Sequence, residues 1–191
     1  MKNDYLEAGI VYHIFNRGNN KENIFIEEKN YIYFLALLKK YVLPIADVYA
    51  YCLLKNHFHL IVKIKDIDSL TPKQNENLHQ AFSNMFNSYT KSINKMYCRR
   101  GSLFQECFHK KRITDEKYLI QLIAYIHLNP VKHSFTSDFK NYRYSSYLAY
   151  MSNKPSSVNT EYIMSLFGDT SNFEYWHDLN RLILEDKVVD V

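Results

Sequence analysis

Two β-prone runs joined by a two-residue polar turn constrain the fold more than any other feature of this 191-residue sequence. Residues 47–54 read DVYAYCLL and residues 57–65 read HFHLIVKIK, with only Lys55 and Asn56 between them. So short a connection joins antiparallel neighbours, because parallel strands need a crossover of about a dozen residues or more. We therefore predict a β-hairpin near the centre of the sheet.

The runs on either side of the hairpin have the periodicities of strands and helices. In chain order they predict a strand, a helix, the hairpin, a second helix, and a fourth strand or extended loop, at residues 10–16, 28–42, 47–65, 75–97 and 104–113. This β-α-β-β-α-β order is that of the ferredoxin-like, split βαβ arrangement. We predict an α+β fold, an antiparallel sheet with helices packed on one face, followed by a C-terminal helical extension.

A third helix follows the fourth strand. It is predicted over residues 118–128, with Thr114 as its N-cap and Asn129-Pro130 as its end. The polar stretch SNKPSSVNT, at residues 152–160, is the best candidate junction in the chain. We therefore expect one domain over residues 1–151 and a partly helical extension over residues 152–191.

Composition excludes several classes of protein. The three cysteines are odd in number and lack C-x-x-C spacing, which argues against a disulfide framework and a zinc knuckle. Neither a signal peptide nor an apolar stretch long enough to span a bilayer is apparent, so we expect a cytoplasmic protein without a membrane partner.

The net charge of +4 is mild, but basic residues are concentrated in one segment. Residues 91–112 contain seven Lys or Arg against one acidic residue, Glu106, with Tyr97, Phe104 and Phe108 interleaved. This mixture is typical of surfaces that follow a nucleic-acid backbone and stack bases. A solvated basic turn with its aromatic side chains in the core is the alternative.

His57 and His59 lie two residues apart on the third predicted strand. Residues i and i+2 of a strand point to the same side, so the two imidazoles share a face and could chelate a metal ion. The tripeptide alone is a weak signal, and a pair of ordinary histidines without metal is the alternative.

Tyr125 and Asn129 lie four residues apart on the third predicted helix and therefore share a helix face. Placed opposite the histidine pair, they would supply a phenol nucleophile and an amide oxygen as a third metal ligand. A core tyrosine and a C-terminal cap before proline form the alternative.

Five segments taken together resemble the HUH single-tyrosine transposases, the IS-two-hundred-like family, and most of all their REP-associated tyrosine transposase branch. They are YHIFNRGNNKENIF, YAYCLLKNHFHLIV, RRGSLFQ, YLIQLIAYIHLNPVK and YRYSSYLAY, in order between residues 12 and 150. Two departures from the family are Lys55, where proline is common, and Glu106-Cys107, where small or basic residues are usual.

The resemblance implies a domain that cuts and rejoins single-stranded DNA through a covalent 5′-phosphotyrosine. His57 and His59 match the family's metal-binding pair, Tyr125 its nucleophile, and Asn129 its third ligand. The cofactor expected is Mg²⁺ or Mn²⁺, and the partner is single-stranded or hairpin DNA, with the site completed within one chain or across a homodimer. The candidate DNA contacts are basic or amide side chains, namely Arg17, Arg99, Arg100, Gln105, Lys110, Lys111 and Arg112.

Two other functions are compatible with the sequence. One is a domesticated DNA-hairpin-binding protein without transposition activity. The other is an RNA-binding module, since split βαβ sheets also bind RNA, although such a sheet should carry exposed aromatic residues where this one carries His57 and His59.

Overall fold

In a computed structural model, four strands and seven α-helices make up the described part of the chain, which is residues 5–152 and 154–189, with side chains up to residue 183. The elements in chain order are β1 (Val11–Arg17), α1 (Glu28–Tyr41), β2 (Ala46–Leu54), β3 (His57–Ile64), α2 (Pro72–Glu76), α3 (Leu78–Met96), β4 (His109–Ile113), α4 (Glu116–Lys132), α5 (Tyr147–Tyr150), α6 (Glu161–Phe167) and α7 (Thr170–Val189).

The four strands form one antiparallel sheet in the order β2-β3-β1-β4. The two central strands are therefore the first and the third, with the hairpin partner β2 at one edge and β4 at the other. This is the strand order of the ferredoxin-like class, and the predicted α+β fold is confirmed. The hairpin turn occurs at Lys55-Asn56, as the sequence predicts.

Alternation along the strands produces two apolar faces. Tyr12 and Ile14 of β1 lie in a core that α1 and α3 cover. Cys52 and Ile61 lie in a second core, on the opposite face, which α4 and the C-terminal helices cover. The helices α1 and α3, which connect the strands, thus pack on one face of the sheet, as predicted, and α4 covers the other face.

The predicted limits of the third helix are wrong at both ends. The N-cap is Asp115 and not Thr114, because the Asp115 carboxylate accepts from the backbone N–H groups of Lys117 and Tyr118. At the other end α4 continues through Pro130 to Lys132. Pro130 is buried in the last turn of α4, where its missing N–H costs one backbone hydrogen bond.

The observed limits of the other elements differ less from the predicted ones. The second predicted helix is divided at Asn77 into the short α2 and the long α3, and the fourth strand is limited to His109–Ile113. Tyr147–Tyr150 forms the short helix α5.

The C-terminal helices pack on α4. Ile163 of α6 and Phe173 of α7 are fully buried in the second core. His127 of α4 is within hydrogen-bond distance of His177 of α7, at 2.9 Å. The division of the chain at residue 151 stays a prediction. Among the helices of the described residues, none combines the length and the apolar character needed to cross a membrane.

Candidate active site

One cleft contains both histidines of the predicted pair and the predicted nucleophile. It has a volume of about 430 Å³ and lies between the ends of β1 and β3 on one side and α4 on the other. Its lining includes His57 and His59 of β3, Tyr125 of α4 and Arg17 of β1. The structure therefore brings together side chains separated by more than 60 residues in the sequence.

The two-residue period of β3 places the imidazoles side by side. The ring centroids of His57 and His59 are 5.3 Å apart, and the Tyr125 ring centroid is 6.1 Å from that of His59. Phe58 points to the opposite face, where it packs in the core with Phe34. The packing of Phe58 fixes the register, because a shift by one residue would bury both histidines and expose the phenylalanine.

Hydrogen bonds fix the orientation of both imidazoles. Nδ1 of His57 donates to the side-chain carbonyl oxygen of Asn56 at 2.7 Å, which leaves Nε2 with a free lone pair. Nδ1 of His59 is 2.9 Å from Nε2 of His13, a residue of β1. His57 therefore keeps Nε2 available, and His59 does so in the tautomer whose Nδ1 donates to His13; a hydrogen bond at the other ring nitrogen is the usual arrangement around a metal-binding histidine.

The imidazoles in the cleft are neutral at pH 7. Burial lowers the pKa of His57 to about 4, with smaller contributions from His133 and Arg17. Burial, assisted by the charge of Lys111, lowers the pKa of His13 to about 4, and burial holds the pKa of His59 well below its usual range. Since a metal ion binds only the neutral imidazole, the site is in the protonation state that such an ion requires.

Asn129 lies on α4 one turn beyond Tyr125. Its side-chain nitrogen donates to the backbone oxygen of Tyr125 at 2.9 Å, and its side-chain oxygen is buried without a hydrogen-bond partner among the described residues. A buried oxygen of this kind is costly unless something binds it. The described residues contain no group of three His, Cys, Asp or Glu side chains suited to a metal, and Asn129 is not among the residues that line the cleft, so its role as a third donor stays a prediction.

Three residues of the site were not identified from the sequence. His13 supports His59, the His133 ring is 4.9 Å from that of His57, and Lys132 Nζ donates to Tyr125 Oη at 3.5 Å. Lys132 also lies over the Tyr125 ring, 4.5 Å from its centroid. His133 and Lys132 lie about two turns beyond Tyr125, a spacing that could have revealed them had the helix not been predicted to end at Pro130.

The predicted DNA contacts on the edge strand divide between the two faces of the sheet. Residues directly opposite each other in an antiparallel pair share a face. Lys111 lies opposite His13 and thus on the side of the cleft, whereas Lys110 and Arg112 lie opposite Ile14 and Tyr12, which face the other core. Arg112 also pairs with Glu7 at 3.0 Å.

The remaining predicted contacts lie in the loop between α3 and β4. Arg99 forms an ion pair with Glu22, while Arg100 and Gln105 are exposed. The Gln105 backbone N–H donates to the oxygen of Arg17 at 3.0 Å, which attaches this loop to the end of β1 beside the cleft.

The fold and the site together define a class, an α+β domain of ferredoxin-like topology in which a histidine pair on a central strand faces a tyrosine on a helix. This arrangement also disfavours the RNA-binding alternative, because among the described residues helices pack on both faces of the sheet, whereas RNA-binding sheets of this type expose one whole face.

Comparisons with known proteins agree with the class. No family model matches the chain. A curated protein of Haemophilus influenzae, a putative REP-associated tyrosine transposase, is 28% identical over 103 residues, which are 53% of this chain and 58% of that protein. A solved structure of a REP-associated tyrosine transposase bound to a REP hairpin superposes with a TM-score of 0.58 at 16% identity, over 81% of this chain and 87% of the other.

The chain is thus similar in sequence to a protein named as a putative REP-associated tyrosine transposase, in agreement with the resemblance noted from its motifs. The structural match supports the same fold. The Haemophilus match reaches little more than half the length of either protein.

Proposed function

We propose that this protein cleaves and rejoins single-stranded DNA in a metal-dependent reaction through a covalent 5′-phosphotyrosine, acting on hairpin or repeat DNA. The observation that carries the proposal is the convergence of Tyr125, His57 and His59 on one cleft. The relationship to REP-associated tyrosine transposases supports a DNA-processing role of this kind.

His57, His59 and Asn129 would hold the metal ion. Two neutral imidazoles and an amide oxygen would leave coordination positions open for phosphate oxygens, and the amide and phosphate oxygens are donors that Mn²⁺ and Mg²⁺ prefer. The unpartnered side-chain oxygen of Asn129 and the free Nε2 atoms of the histidines agree with this assignment. Bound there, a divalent ion would act as a Lewis acid toward the scissile phosphate and offset its charge.

Tyr125 is the nucleophile in this proposal. Its phenol oxygen forms a bond to phosphorus while the bond from phosphorus to the 3′ oxygen breaks, and that oxygen leaves with a proton as a 3′-hydroxyl. The ammonium group of Lys132 donates to Oη at 3.5 Å, where it would orient the phenol and contact a phosphate oxygen. Rejoining is the reverse reaction, in which a 3′-hydroxyl displaces the tyrosine.

Arg17 is the cationic side chain best placed to hold the substrate backbone. It is exposed, extends from the end of β1 and lines the cleft. A guanidinium group binds phosphate through two parallel hydrogen bonds, in bidentate geometry. Such contacts position a DNA strand but do not recognise its sequence. Arg100 and Gln105, in the adjoining loop, would extend this contact toward a hairpin stem.

The test is incubation of the full chain with hairpin oligonucleotides that carry single-stranded ends, in Mg²⁺, Mn²⁺ or EDTA, followed by a denaturing gel. We expect a covalent adduct with either metal and none in EDTA. Tyr125→Phe should abolish the adduct, with Tyr175→Phe, at an exposed position of α7, as the control, and His57→Ala should reduce it strongly.

Hairpin binding without any adduct would contradict the catalytic proposal and favour the domesticated binding protein. An adduct that persists in Tyr125→Phe would refute the role of this tyrosine. Full activity in His57→Ala, or in EDTA, would refute the role assigned to the metal.

A further inference from the structure

A second cavity of about 460 Å³ adjoins the cleft. It lies between β4 and the N-terminal half of α4, and it shares Phe15, His59 and Tyr125 with the cleft described above. We call this cavity the side lobe; its own residues include Lys111 of β4 and Tyr118, Gln121 and Leu122 of α4. A DNA strand that passes from the cleft into the side lobe therefore crosses these three shared residues, Tyr125 among them.

The side lobe and the cleft differ in chemistry. Arg17, Asn56 and His133 make the cleft polar and cationic on the side away from the side lobe, which suits a sugar-phosphate backbone. The side lobe instead has aromatic and apolar walls, with Leu122 and the ring of Tyr118 on the helix side. Apolar walls with a few polar groups are typical of a pocket for a flat organic ring.

Stacked rings continue along the strand side of the side lobe. Phe15 stacks on His13 with ring centroids 4.6 Å apart, and Phe15 stacks on His109 at 5.1 Å. Aromatic rings of this kind bind unpaired bases, which have lost the stacking partners of a duplex.

Polar groups at the rim can read the edge of a base. Gln121 is exposed on α4 one turn before Tyr125, and its amide offers both a donor and an acceptor. Lys111 Nζ donates to Tyr118 Oη at 3.0 Å, which holds the ammonium group beside the side lobe. The side lobe therefore offers aromatic rings for stacking, the Gln121 amide, which can both donate and accept a hydrogen bond, and the positive charge of Lys111.

We propose that the side lobe binds one unpaired nucleobase of the substrate strand, the base of a nucleotide next to the scissile phosphate. The inference rests on the proposed function, because it takes the phosphate to lie at Tyr125. Gln121, which the catalytic reaction does not use, is then a specificity residue that favours bases able to bond with its amide.

The test is an abasic scan. Full-length Tyr125→Phe protein, which stops before cleavage, is titrated with labelled hairpin oligonucleotides that each lack one base along the single-stranded end. We expect about a tenfold weaker affinity when the base next to the cleavage position is missing, because the stacking contact of that base is lost. Adding Gln121→Ala or Lys111→Gln to that protein should reduce this loss.

Lys117→Gln is the matched control. It removes the same charge from an exposed position of α4 outside the side lobe, so it should weaken all oligonucleotides equally and keep the loss at the single position. A uniform affinity across the scan, or a loss unchanged by Gln121→Ala, would overturn the inference.

The two proposals fail in different ways. Cleavage by wild-type protein without a Gln121-dependent loss would contradict the base pocket and leave the proposed function standing. A Gln121-dependent loss in a protein that forms no adduct would support the pocket and contradict the proposed function.

Discussion

Acidification should destabilise this protein through a buried histidine pair that joins α4 to α7. Nδ1 of His177 donates to the backbone oxygen of Phe173 at 2.7 Å, so its Nε2 must accept from Nδ1 of His127, and Nε2 of His127 accepts from Ser146 Oγ at 2.8 Å. Both imidazoles are neutral in this network, and a proton on Nε2 of His177 would place it opposite the donating Nδ1–H of His127.

The magnitude follows from the pKa of His177, which burial lowers to about 4. Its unfolded-state pKa is near 6.5, so the unfolded chain takes up the proton first and stability falls as the pH decreases from 6.5 toward 4. Between pH 7 and pH 5 this residue alone should remove about 2 kcal/mol. Burial also holds the pKa of His127 well below its usual range, which acts in the same direction.

The assay is urea denaturation followed by circular dichroism at pH 7, 6 and 5. His177→Phe should reduce the difference in unfolding free energy between pH 7 and pH 5 by about 2 kcal/mol relative to wild type. Ser146→Ala is the control, because it breaks a hydrogen bond of the same network but keeps both imidazoles; it should lower stability at every pH and preserve the difference. An unchanged pH dependence in His177→Phe would refute the reasoning.

Three further predictions concern the site and the turn beside it. Lys132→Met removes the ammonium beside Tyr125 and should slow adduct formation about tenfold in single-turnover assays, with hairpin affinity retained; an unchanged rate would contradict its role. His13→Phe removes the partner of His59 and should raise the Mn²⁺ dissociation constant about tenfold in calorimetry without DNA, whereas an unaltered value would show that His13 does not position the ligand. Gly18→Ala places a Cβ 2.1 Å from the Glu22 backbone oxygen and should cost about 3 kcal/mol in urea denaturation; wild-type stability would show that the turn can move.

The sequence predicted the sheet because its strands depend on local patterns. The hairpin at Lys55-Asn56 and the alternation of β1 are short-range signals, and the structure places both as expected. The end of α4 was missed because proline usually stops a helix, whereas here Pro130 is buried in the last turn and its neighbours Leu128 and Val131 pack in the second core. Tertiary packing of this kind cannot be recognised from the few residues on either side of the proline.

The site was predictable only where residues shared one element. The period of β3 placed His57 and His59 together, and the spacing on α4 joined Tyr125 to Asn129. The expectation that Tyr125 faces the histidine pair came from the resemblance to a family, and the cleft that His57, His59 and Tyr125 share is a property of the fold. His13 belongs to a third element, and no sequence spacing links it to His59.

The most direct test of the catalytic proposal is identification of the residue that carries the DNA. Wild-type protein is incubated with a hairpin oligonucleotide and Mn²⁺, digested with nuclease and protease, and sequenced by tandem mass spectrometry. We predict a nucleotide attached through its 5′ phosphate to the α4 peptide that contains Tyr125. Attachment to any other residue, or through a 3′ phosphate, would contradict the proposed mechanism.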